Sequence, residues 1–160
     1  MFSKSGAEIV CIDKNIITAR ETAKYCGKNA LAIECDLTSR EEIKNAFKEI
    51  ILQFGGVDIL ISNAGIALQG DLYNMDDQIL KNSLNINLLS HHYLSQQSLD
   101  IFKSQDYFNL KSKDFLGGQL LYNISKQALN PGKGFGAYGI SKSALLALMK
   151  QYALEEGHNG

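Results

Sequence analysis

Cysteine is scarce in this chain: Cys11, Cys26 and Cys35 are odd in number and have no CxxC spacing, so neither a disulfide framework nor a zinc site is indicated. They read as ordinary buried or half-buried thiols. Charge of one sign is not in excess either. The formal net charge is -1, and the dispersal of Lys and Arg leaves no basic stripe to track a phosphate backbone, which argues against nucleic acid as a partner. No apolar run approaches the ~20 residues that would span a bilayer. Met1 is not followed by a basic segment and an apolar signal core, so the sequence reads as soluble and cytoplasmic, with no membrane partner. Metal ligands are missing too: His91 and His92 lie in a helical pattern without a Cys or carboxylate at ligand spacing and read as surface or packing residues, and His158 is terminal. No repeat or low-complexity region interrupts the chain. Asn123-Ile124-Ser125 spells a glycosylation acceptor, a coincidence if it lies on a buried strand of a cytoplasmic protein.

What is present fits one domain: 160 residues with 45% hydrophobic content are enough to bury a core. Short β-rich runs recur at Glu8 to Asp13, Ala30 to Cys35, Val57 to Ser62 and Gly118 to Ile124. Helical patterns lie between them. From Ser39 to Phe54 the residues Ile43, Ala46, Phe47, Ile50, Ile51 and Phe54 share one stripe, Ser39 with Glu42 spells a capping box, and Gly55-Gly56 ends the run. A second long helix is expected from about Met75 to Phe102, and a third from about Gly136 to Glu156 with Leu145, Leu148, Met149 and Tyr152 as its apolar face. Alternating strands and helices of this kind indicate a doubly wound α/β fold, a parallel sheet covered on both faces. The polar stretch from Lys103 to Asp114 is the expected exposed loop.

The chemistry concentrates in Tyr138-Gly139-Ile140-Ser141-Lys142. Tyr138 and Lys142 stand four residues apart, and Ser125 lies thirteen residues upstream. On a helix that spacing puts a phenol and an ammonium on one face, one turn apart. An unperturbed Tyr titrates near pH ~10, too high for a base at neutrality, whereas a nearby cation favours the phenolate. Proton transfer is therefore an expected role. Taken singly, Ser125 reads as a turn hydroxyl, Tyr138 as core and Asp13 as a strand-end carboxylate that caps a helix.

Four patterns arrive in order: Asp36-Leu37, Asn63-Ala64-Gly65, Ser125 and Tyr138 to Lys142. In that order and spacing the chain resembles the short-chain dehydrogenase/reductase family over almost every residue from Gly6 to Gly157, including Gly6-Ala7-Glu8-Ile9-Val10 at the entry to that fold's second strand. Asn123 to Gly132 followed by Phe135 to Gly139 looks most like the dehydrogenase half of bifunctional sugar-phosphate aldolase/dehydrogenases. The resemblance implies that Tyr138 is the acid/base exchanging an alcohol proton while hydride passes between substrate carbon and a nicotinamide. It gives Lys142 the tuning of Tyr138 and a hydrogen bond to the nicotinamide ribose, and Ser125 the substrate oxygen. Asn87 matches the family Asn that holds a water linking Lys to solvent, with Asn85 close enough in pattern to compete for the assignment.

For the cofactor, Asp13 ends the first strand present, where a carboxylate can accept from both adenosine ribose hydroxyls and repel a 2′-phosphate, so NAD is expected ahead of NADP. The resemblance places Asp36, with Leu37, at the adenine and Asn63-Ala64-Gly65 where the cofactor passes the sheet. Ser62 replaces an Asn usual at its position. No metal is implied. The partners implied are a small alcohol or carbonyl substrate, here sugar-derived, and a second copy of the full-length chain in a homo-oligomer.

Relative to the family, the Rossmann-like sheet is expected to be incomplete. The first strand with its Gly-rich turn is missing, no Gly-x-x-x-Gly-x-Gly precedes Gly6, and the last strands are missing too. Those glycines let the backbone approach a pyrophosphate at a helix N-terminus. Loss of a central strand bares two edges, so either the flanking strands close up or the fragment is poorly stable. Residues 1–160 then form a partial NAD(P)-binding domain, read as a piece of an oxidoreductase whose longer parent is active. The alternatives are a non-catalytic remnant that associates through its long helices, and a bare structural domain.

Overall fold

The alternation of strand and helix is carried through in the computed structural model, which describes residues 2–109 and 117–159. The chain divides into two units, Met1–Val57 and Asp58–Gly160. Both are built on two parallel strands joined through helix, the Rossmann-like arrangement.

In the first unit β1 (Val10–Asp13) and β2 (Leu31–Glu34) run parallel, with Val10 opposite Leu31 and Asp13 opposite Glu34. The connecting α1 (Ile16–Cys26) packs on both strands and buries Ala19 and Ala23. Asn15 starts it by accepting the Ile17 N–H at 2.9 Å, which satisfies one of the orphan donors at a helix start. α2 (Arg40–Phe54) starts at Ser39, whose Oγ accepts the Glu42 N–H at 3.3 Å. The expected capping box is half formed, because the Glu42 carboxylate accepts from the Asp36 N–H at 2.7 Å instead. Ile43, Ala46, Phe47 and Ile50 are the buried stripe, whereas Ile51 is 40% exposed, a step round the helix from it. Gly55 closes α2 at φ 85°, a left-handed conformation that glycine adopts without Cβ strain.

In the second unit β3 (Ile59–Ser62) and β4 (Gln119–Tyr122) run parallel, with Ile59 opposite Gln119 and Ser62 opposite Tyr122. Ile59, Ile61 and Leu121 are 41%, 52% and 43% exposed, so these three strand residues are less covered than the apolar runs suggest. Between the strands runs α3 (Asp77–Leu84), a π-helical segment (Asn85–Leu89) and α4 (Ser90–Asn109). The helix extends past Phe102 because Lys103 to Asn109 contains neither Gly nor Pro to stop it. Lys103 also pairs with Glu156 at 2.9 Å. That part of the expected loop is therefore helix, and its remaining residues, 110–114, lie outside the described residues. Phe102 lies so close to Gly118 that a Cβ there would come within 2.2 Å of the ring, which makes glycine the residue that lets α4 reach the start of β4. α5 (Gly136–Glu156) has the expected bounds, with Leu145 fully buried. Fully buried serines line the helices, and Ser90 and Ser95 donate back to the carbonyls of Ile86 and His91, each at 2.6 Å. Among the described residues no helix is long and apolar enough to cross a membrane.

Candidate active site

Tyr138 and Lys142 lie in the first two turns of α5, and the i, i+4 spacing puts them on one face as expected. The Lys142 Nζ sits 5.9 Å from the Tyr138 ring centroid. Lys142 is 3% exposed, and burial lowers its pKa from the ordinary lysine value. Its ammonium donates to the Asn123 carbonyl at 2.9 Å. With one of three N–H donors used there, two are left for a ligand. Tyr138 is half-buried and meets the Phe135 ring edge-on at 6.4 Å.

Asn87 and Asn85 separate cleanly. Asn85 is exposed, while Asn87 is fully buried in the π-helical segment, a distortion frequent at functional sites. The Asn87 amide accepts from the Ile66 N–H and donates to the Ile66 carbonyl, both at 2.8 Å, and donates to Ser141 Oγ at 2.9 Å. Ser141 in turn donates to the Tyr138 carbonyl at 2.8 Å. The wide π turn thus ties the segment after β3 to the helix that carries Tyr138 and Lys142.

The Asn63-Ala64-Gly65 turn packs against the same groups. A Cβ on Gly65 would crowd Asn87 Oδ1 at 3.1 Å and stand in ordinary contact with Lys142 Nζ at 3.5 Å. Asn63 accepts from the Asn123 side-chain amide at 2.6 Å, which joins the ends of β3 and β4. Ser125 lies three residues beyond β4, half-buried, and its Oγ accepts the Gln127 N–H at 3.2 Å to start a single 3₁₀ turn. Its hydroxyl proton is not spent in that bond. Asn63, Ala64, Gly65, Asn87, Ser125, Tyr138 and Lys142 all belong to the second unit.

Asp13, Asp36 and Leu37 belong to the first. Asp13 is exposed at the end of β1 and accepts the Asn15 N–H at 2.8 Å, while Asn15, not Asp13, caps α1. Asp36 takes Lys14 at 2.5 Å and both the N–H and hydroxyl of Thr38, at 2.9 and 2.7 Å. The hydrogen bond from Lys14, then those from Thr38, lower its pKa to about 2. Leu37 is half-buried in the turn that follows.

One residue set aside as surface or packing proves central to the local bonding. His91 is fully buried, with Nε2 2.9 Å from the Ala64 carbonyl and Nδ1 2.7 Å from Ser62 Oγ. A carbonyl can only accept, so Nε2 carries the proton and Ser62 donates to Nδ1. The signal in the sequence was Ser62, the departure from the usual Asn. Burial, and secondarily the Lys142 charge, lower the His91 pKa from 6.5 to about 4. The unfolded chain then takes up a proton near 6.5 that the folded one refuses until about 4. Stability is accordingly expected to be full above pH 6.5 and to fall as pH drops from 6.5 to about 4. The loss should be on the order of a few kcal/mol. Urea midpoints measured across that range check it, and His91→Gln should flatten the slope. His92 bonds the Tyr152 hydroxyl through Nδ1 at 2.7 Å. No group of His, Cys, Asp and Glu able to hold a metal occurs among the described residues.

The family described as short chain dehydrogenase matches residues 1–160. An uncharacterized oxidoreductase of Bacillus subtilis, YuxG, is 30% identical over 99% of this chain and 22% of its own length. The 3-oxoacyl-[acyl-carrier-protein] reductase FabG of Buchnera aphidicola is 27% identical over 99% of this chain and 61% of its own. Among solved structures, a 7α-hydroxysteroid dehydrogenase complexed with NADH and 7-oxo glycochenodeoxycholic acid superposes with a TM-score of 0.85 at 26% identity, over 98% of this chain and 58% of the other. The chain spans about a fifth and three fifths of the two curated relatives.

Proposed function

The chain belongs to the short-chain dehydrogenase family, and on that premise we propose that it is the cofactor-binding and catalytic part of a longer NAD-dependent oxidoreductase that interconverts an alcohol and a carbonyl. The observation that carries this reading is the buried Lys142 ammonium, anchored on the Asn123 carbonyl one helical turn beyond Tyr138. A buried cation is costly unless its donors are paired, and here only one is met by the Asn123 carbonyl, leaving two N–H donors for a ligand. A nicotinamide bound here would supply the hydride-accepting chemistry for the carbinol carbon. Tyr138 takes the alcohol proton as that C–H bond breaks and returns it in the reverse direction. Ser125 donates its unspent hydroxyl proton to the substrate oxygen. Lys142 holds the nicotinamide ribose, and Asn87 keeps the segment around Ile66 in place against it.

The exposed carboxylate of Asp13 suits a ribose diol and disfavours a 2′-phosphate, which supports NAD over NADP. That a steroid dehydrogenase of this fold holds NADH supports the same choice. A sugar-derived substrate and a bifunctional parent follow from the sequence likeness. The YuxG match supports the parent, since that relative is several times longer than the stretch matched here. The test is calorimetric titration with NADH and with NADPH, first on this chain and then on any longer form. Binding of NADH in preference to NADPH is expected, and absence of binding to both forms would overturn the reading.

A further inference from the structure

His91 stands outside every role assigned above, and its surroundings give it one. The segment after β3 is held at three points: Asn123 bonds the Asn63 side chain, His91 bonds the Ala64 carbonyl and Asn87 bonds both main-chain groups of Ile66. Asn87 and His91 are four residues apart on the long helix, so one helix face grips the same turn twice. Ser62, at the end of β3, donates to the imidazole Nδ1 and thereby keeps the proton on Nε2, the atom that faces the Ala64 carbonyl.

We propose that His91, oriented by Ser62, is a positioning residue that clamps the Asn63-Ala64-Gly65 turn through the Ala64 carbonyl and so sets the distance of Gly65 from Asn87 and Lys142, where the dinucleotide passes. The proposal rests on the dinucleotide reading for its consequence, though not for its geometry. The Ser62 hydroxyl is too short to span the gap that the imidazole fills: Nδ1 and Nε2 are both bonded, at 2.7 and 2.9 Å. A neutral ring also keeps a second positive charge away from Lys142, whose field already acts on it. Tyr122, 6.4 Å away between ring centroids, also faces the imidazole, and its hydroxyl is engaged with Ser95 at 2.5 Å.

The experiment compares His91→Gln with His91→Leu. A glutamine amide nitrogen falls near the place of Nε2 and can donate to the Ala64 carbonyl, whereas leucine of similar size fills the space and leaves that carbonyl unpaired. NADH affinity is expected to stay within about threefold for Gln and to fall by about tenfold for Leu. In parallel, hydrogen exchange at the Ile66 amide should speed up in Leu and not in Gln. Equal behaviour of the two variants would show that His91 only fills space and would overturn the clamp. If neither this chain nor a longer form binds NADH, the dinucleotide reading falls, and Ile66 exchange alone decides: faster exchange in Leu upholds the clamp and equal exchange removes it. Should His91→Leu not fold, Ser62→Ala takes its place, and faster Ile66 exchange in that variant supports the clamp while an unchanged rate overturns it.

Discussion

Tyr138→Phe is expected to lower turnover by about 10²–10⁴-fold, the span that a positioned acid/base contributes, in whichever form of the protein turns over. NADH binding should change little. The substitution removes one oxygen and keeps the ring, so the edge contact with Phe135 and the face beneath Lys142 both survive. The bond from Ser141 uses the Tyr138 carbonyl and not the phenol, so the link through Asn87 to Ile66 is also untouched. Loss confined to kcat is what removal of a group acting only in the transition state predicts. Steady-state kinetics with a panel of small alcohols, alongside NADH titration, measures both. A Phe variant with full kcat would place the proton transfer elsewhere.

The parts of the fold that were legible in the sequence are those with strong local signals. Apolar periodicity marked α5, and Ser39 with Gly55 marked both ends of α2. The four short strands agree with expectation at the Asp13 and Ser62 ends and are one or two residues shorter at every other end, since a run of β-branched residues does not show where pairing stops. The extent of α4 was misjudged because polar residues read as loop. A helix needs no apolar face where its side chains pair outward, as Lys103 does with Glu156 nearly two turns before the end of α4. Ile59, Ile61 and Leu121 were expected to be covered, but strand hydrophobicity reports only the capacity to be buried, not what is there to bury it.

The candidate site divides in the same manner. Tyr138 and Lys142 could be paired from spacing alone, because helix geometry converts four residues into one turn. Asn87 could not be told from Asn85 by pattern. A π turn shifts the register of the helix by one residue, and no composition rule signals it. His91 was passed over because a lone histidine is judged by whether it has metal-ligand neighbours, whereas its partners here are a hydroxyl 29 residues away and a main-chain carbonyl 27 residues away. Main-chain partners leave no trace in a sequence. Ser62, which replaces the usual Asn, is the visible half of that pair.

Lys142→Met should separate activity from stability more sharply than any other change at this site. A lysine whose pKa falls on folding holds its proton less tightly in the folded chain than in the unfolded one. At neutral pH the charge therefore works against folding, and stability rises with pH from the folded pKa up to the ordinary value of 10.5, where the unfolded chain lets go as well. Methionine keeps the buried apolar stem and removes the cation. The one group left without its partner is the Asn123 carbonyl, on a residue that is itself exposed. The urea midpoint at pH 7 should hold or increase, and its rise at alkaline pH should disappear. Turnover should nevertheless fall by about 10²-fold or more, since the charge beside Tyr138 and the ribose donor go together. A Met variant that is much less stable would make Lys142 a structural cation, and one that keeps its activity would remove it from the chemistry. The combination of unchanged folding with lost turnover is expected only if the cost of burying this charge is tolerated for the reaction.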